Sequence, residues 1–159
     1  LTMKRAPLLR ILNTSIFSII LTAALTLATS ISAIAEDTKE FAEHKFVLQI
    51  TDNDPAKQML VLNVAANIMK HYGPDKADVE IVAFGPGLKL LLANNNNAER
   101  INGLSDNSGV RFAACANTLA KMTKKLGKEP KLNSHATVVP GGIIRIKELA
   151  DQGYLLVRP

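Results

Sequence analysis

Five short runs of apolar and β-branched residues alternate with longer helical segments, and this alternation limits the fold more than any other feature. Phe46-Val47-Leu48-Gln49-Ile50 has the brevity and composition of a buried strand. It stops at Thr51-Asp52-Asn53-Asp54-Pro55, which is also a helix start. Asp54 can cap free N–H groups, and Pro55 has the fixed φ that suits a first helical position. The helix predicted from there runs to about residue 72, with Asn63, Asn67 and Lys70 on its wet side, and stops at Gly73-Pro74. Further strands are predicted over 79–84, 110–114, 136–139 and 154–157. Helices over 98–104, 116–126 and 143–152 separate them, with a short leucine-rich helix over 88–92. Strand–helix alternation requires crossovers, hence parallel pairing and an α/β sheet covered by helices on both faces.

The front of the chain reads differently. Lys4, Arg5 and Arg10 precede residues 11–35, a charge-free stretch that ends in Ala33-Ile34-Ala35. A positive start, an apolar middle and a small-x-small exit form a secretory signal. The expected organisation is therefore a signal peptide over 1–35, a polar lead-in over 36–45 and one domain over 46–159. Cleavage would deliver that domain to the periplasm. The rival reading is an uncleaved anchor, since about 20 residues suffice to cross a bilayer; membrane contact is expected only in that case. Eight Ser and Thr residues dilute the stretch and favour cleavage.

Charge excludes one class of partner. Three of the 19 basic residues and none of the 14 acidic ones lie in the signal, which leaves the rest of the chain at +2. Lys121, Lys124, Lys125, Lys128 and Lys131 cluster around one predicted helix end, where cations suit the helix dipole and water. No nucleic-acid partner is expected.

Function in a parallel α/β sheet gathers outside the carboxyl ends of the strands, where the strand order reverses. With a flavodoxin-like order of 2-1-3-4-5, that crevice lies between the first and third strands. It is flanked by Thr51-Asp52-Asn53-Asp54 and by Ala114-Cys115-Ala116-Asn117. Cys115, the one cysteine of the chain, precedes a helix whose free N–H groups and dipole favour a thiolate. Asp52 and Asp54, if near, would oppose that effect. The bland alternative is a small core residue, since free cysteine is among the most buried types.

Other chemistries fit poorly. His44, His71 and His135 all fall at the opposite edge of such a sheet, so Cys–His catalysis is not expected. Scattered histidines and one cysteine give no metal site. A flavin phosphate would meet two carboxylates and no glycine in the first loop, and no cofactor is expected. Pro140-Gly141-Gly142 before a helix is a better anion nest, or simply a tight turn.

Residues 45–159 resemble the DsrE/DsrF-like family, known from sulfur-relay proteins. The resemblance rests on Val110-Arg111-Phe112-Ala113-Ala114-Cys115-Ala116-Asn117-Thr118-Leu119, on Val138-Val139-Pro140-Gly141-Gly142-Ile143, and on the ending from Gln152-Gly153-Tyr154 to Arg158-Pro159. It implies a flavodoxin-like sheet, homo-oligomers such as trimers or hexamers, and a cysteine that carries sulfane sulfur as a persulfide, at the position of Cys115. A lone thiolate can accept sulfane sulfur from one donor and release it to another thiol with neither histidine nor metal. The cytoplasmic relay members differ in lacking export, and a signal-bearing single-domain branch is closer. The expectation is an exported sulfur carrier with a thiol-bearing donor or acceptor protein. Asp52, Asn53 and Asn117 would line the crevice, and Gly141 and Gly142 would supply backbone donors. The competing expectation is a non-catalytic oligomeric module that binds a small molecule or protein and has a structural cysteine. The leucine-rich segment over 88–92 fits either an interface or core.

Overall fold

The computed structural model describes Lys39 and residues 41–159. The expected signal and part of the polar lead-in, residues 36–38 and 40, lie outside the described residues. Among those described, no helix is long and apolar enough to cross a membrane. Strand β1 (His44–Ile50) is followed by α1 (Pro55–Tyr72), β2 (Ala77–Ala83) and a 3-10 helix, Gly85–Leu91. Then come α2 (Ala98–Ser108), β3 (Arg111–Cys115), α3 (Ala116–Leu126), β4 (Ala136–Val139), α4 (Gly142–Asp151) and β5 (Leu155–Val157). Asp54 caps α1 as its sequence suggests, its carboxylate accepting from the N–H groups of Ala56 at 2.7 Å and Lys57 at 3.1 Å.

All five strands are parallel, in the order 4-3-2-1-5. The α/β class holds and is consistent with a flavodoxin-like arrangement, but the expected order 2-1-3-4-5 does not. The central place belongs to β2, all seven of whose residues are buried. It pairs with β1 from His44↔Ala77 to Ile50↔Ala83, and with β3 from Glu80↔Arg111 to Ala83↔Ala114. Two acids, Asp78 and Glu80, lie on this buried strand, and their partners come from distant parts of the sequence.

The two faces of the sheet are unequal. Alternate strand residues Leu48, Ile50, Val79, Ile81, Ala83, Phe112 and Ala114 form the larger core with α1, α2, α3 and the 3-10 helix. Leu88, Leu90 and Leu91 of that 3-10 helix have no exposed surface, so the leucine run is core rather than interface. Each such side chain contributes roughly 1.5–3 kcal/mol when fully buried. Among the described residues, the other face is covered by α4, through Ile146 and Leu149 packed on Val47, Val82, Ala113 and Val139.

Beneath α4 lies a group of buried charges. Arg145 of α4 donates to both oxygens of Glu80, at 2.6 and 2.7 Å, and Arg111 donates to Glu80 at 2.5 Å. Asp78 accepts from Arg111 at 3.1 Å, from the Tyr154 hydroxyl at 2.5 Å and from the Lys39 backbone N–H at 3.1 Å. Burial pushes the Glu80 carboxyl up to about 7 against the pull of Arg111, with Asp78 and Glu148 adding to the rise.

A carboxyl that holds its proton more tightly folded than unfolded favours the fold most below its unfolded value. That contribution is lost as pH rises through the folded value. Relative to a Glu80→Gln variant, the protein should lose stability on the order of 1–3 kcal/mol between about pH 4.5 and 7. Denaturant midpoints measured across that window check this. Parallel curves for the two proteins would show that Glu80 does not titrate there.

Candidate functional site

Cys115 is the last residue of β3 and the cap residue of α3, with φ −68° and ψ 116°. Along β3 it shares a face with Ala113, which belongs to the core beneath α4, so its side chain points to that thinner side. Its partner in register is Val139, the end of β4. From there Pro140 and Gly141 lead directly into α4 at Gly142. Two helices thus begin beside one sulfur atom: α3 from the cysteine's own strand and α4 from the neighbouring one.

Both starts leave N–H groups without intrahelical partners. The Thr118 hydroxyl and the backbone N–H groups of Thr118, Gly142 and Asn117 lie near the Cys115 sulfur and favour its charged form. Burial alone pushes the thiol up; these donors outweigh it and hold Cys115 below the ordinary thiol value. Thr118 is itself oriented, because its hydroxyl oxygen accepts from Gly85 N–H at 3.0 Å. Gly85 is held in turn by the turn that carries it: a side chain on nearby Gly87 would come 2.4 Å from the Ile50 carbonyl oxygen. Only glycine permits that approach of the turn to β1.

Three of the expected site residues gather here. Asn117 contributes its N–H, Gly142 contributes another, and Gly141 lies between the Asn117 amide and the Ile144 side chain. Asp52 and Asn53 do not join them. With β2 between β1 and β3, the end of β1 is about 9–10 Å away across the sheet. Asp52 instead pairs with Lys57 at 3.1 Å on an exposed surface. The crevice expected between the first and third strands is replaced by a cradle at the ends of β3 and β4. Cys115 is also less open than an accessible groove would make it, with 5% of its surface exposed. The groups near its sulfur are nevertheless donors, and Asn117, Ile143 and Ile144 at the two helix starts are exposed.

Sequence reasoning missed Thr118, although the spacing held the signal. In Cys-x-x-Thr at a helix start, the threonine is the third helical residue and can reach back to the cap. The histidines lie where expected, far from the thiol. His44 opens β1 and stacks on Tyr72 at 4.0 Å, His71 is in the last turn of α1, and His135 precedes β4. The lysines around the end of α3 are all exposed. Among the described residues, no group of three or more His, Cys, Asp or Glu could hold a metal ion.

Replacing Thr118 by Val removes one donor and keeps the shape. The Cys115 pKa should rise by about 0.5–1 unit, and alkylation near neutral pH should slow several-fold. An unchanged rate would show that the hydroxyl does not act on the sulfur.

Comparison with known proteins agrees with this fold. The model of the DsrE/DsrF-like family matches residues 44–159. Among solved structures, one described as a protein of unknown function, MTH1491 from Methanobacterium thermoautotrophicum, superposes with a TM-score of 0.64. It is 25% identical, and the match covers 73% of this chain and 99% of that one. No curated protein matches. The chain belongs to the DsrE/DsrF-like family.

Proposed function

We propose that this chain is an exported sulfur carrier in which Cys115 holds sulfane sulfur as a persulfide and passes it to a partner thiol. The observation that carries this reading is the donor cradle around Cys115, which favours the thiolate without a base or a metal. Membership of a family known from sulfur-relay proteins supports it.

The transfer conserves oxidation state overall. The Cys115 thiolate attacks the outer sulfur of a donor persulfide, the donor's S–S bond breaks, and the donor leaves as a thiol. Cys115 then carries an S–S group whose outer sulfur an acceptor thiolate attacks in the same way, which regenerates Cys115. The two helix starts would stabilise negative charge on either sulfur by about 0.3–1 kcal/mol each. Partner access would come past Asn117 and the exposed Ile143 and Ile144. Export to the periplasm rests on the positive, apolar and small-residue order of residues 1–35. Assembly into trimers or hexamers is the family's habit, carried over here as part of the proposal.

The low exposure of Cys115 favours a second reading, a non-catalytic binding module with a structural cysteine. Intact mass spectrometry after incubation with polysulfide separates the two. The wild-type protein should gain the mass of one sulfur atom per added sulfur, and Cys115→Ser should gain none. Equal gains in both, or none in either, would leave the structural cysteine as the better reading.

A further inference from the structure

The cradle depends on where α4 begins, and two contacts with β2 decide that. Glu80, Val82 and Phe84 follow one another on the strand face turned to α4, with Phe84 just past the end of β2. A side chain on Gly142 would come 2.5 Å from the Phe84 ring, so the first residue of α4 lies directly against it. Arg145, nearly one turn on, has its N–H bonded to Gly141 carbonyl at 2.9 Å, and its guanidinium grips both oxygens of Glu80. The far end of the helix is tied separately, through Tyr154, which donates to Asp78. The central strand therefore holds α4 at two points, and Glu80 holds the end that faces the sulfur.

We infer that Glu80 is a positioning residue for Cys115: by clamping Arg145 it keeps the first turn of α4 seated on Phe84 and beside the end of β3, where Cys115 lies. This rests on the thiol reading of the site and adds a residue of β2, in register with Arg111 rather than with Cys115, that sets the thiol's acidity. Its role is geometric. The planar fork of Arg145 fixes both distance and orientation when it binds both carboxylate oxygens, and Glu80→Gln keeps the shape but abolishes that symmetric grip.

The test compares Glu80→Gln with Asp78→Asn in the full chain. Both loosen the same buried cluster, but only the first releases the start of α4. Thermal melting reports the structural cost, and the ultraviolet absorbance of the thiolate reports the Cys115 pKa. Glu80→Gln should raise that pKa by about half a unit, or slow alkylation about threefold. Asp78→Asn should lower the melting temperature and leave the pKa in place. No rise in Glu80→Gln, or equal rises in both, would overturn the inference.

If Glu80→Gln fails to fold, Gly142→Ala decides, since its methyl group meets Phe84 and lifts the helix start without touching a charge. A raised pKa in that variant supports the inference, and an unchanged one overturns it. Sulfur loading reads a different quantity. A protein that takes up no sulfur yet shows the Glu80 effect overturns only the carrier reading. One that loads sulfur while Glu80→Gln leaves the thiol unchanged overturns only this inference.

Discussion

Two carboxylates on the covered face of the central strand dictate how the thinner side of the sheet is closed. Taking an ion out of water costs several kcal/mol even after relaxation, unless partners surround it. Asp78 and Glu80 therefore need Arg111 beside them on β3, Arg145 above them on α4 and the Tyr154 hydroxyl beyond the helix. Burial pushes the Tyr154 phenol well up, with its bond to Asp78 adding to the rise, so it remains a donor. Burial works against the charge of Arg111, but Glu80 and Asp78 more than offset it. Satisfying these groups fixes α4 on this face, and the start of that helix lies beside the strand end that carries Cys115.

The chemistry of the site follows from that closure. A thiol at the end of one strand meets the start of its own helix, as in many α/β folds. What is added here is a second helix start, delivered by β4 and held by β2. Donor groups from both helix starts then lie near one sulfur, and the thiolate is favoured with no histidine near it. The same arrangement shelters the sulfur, so access depends on the exposed neighbours Asn117, Ile143 and Ile144.

Much of this was legible in the sequence because local signals agreed with one another. Asp54-Pro55 placed the start of α1 without error, and the glycines after β2 and β4 marked real turns. Cys115 and Gly142 were named as thiol and donor from position alone. The strand order was not legible. The expected order was that of the flavodoxin-like class, and the arginines that reveal β2 as a central strand, by neutralising Glu80, lie 31 and 65 positions away in sequence. The misplacement of β2 carried Asp52 and Asn53 into the site, and the observed order removes them. Thr118 was legible in principle, since a hydroxyl three residues past a cap residue can bond back to it. The leucine run gave two readings that only burial could separate.

The central claim is that donors, not a base, make Cys115 acidic. An ultraviolet titration of the thiolate in the wild-type protein, taken as the difference from Cys115→Ser, tests this most directly. The expected midpoint lies below that of an unperturbed cysteine, about 8.5. A midpoint at or above that value would contradict the cradle and return Cys115 to the role of a small buried side chain.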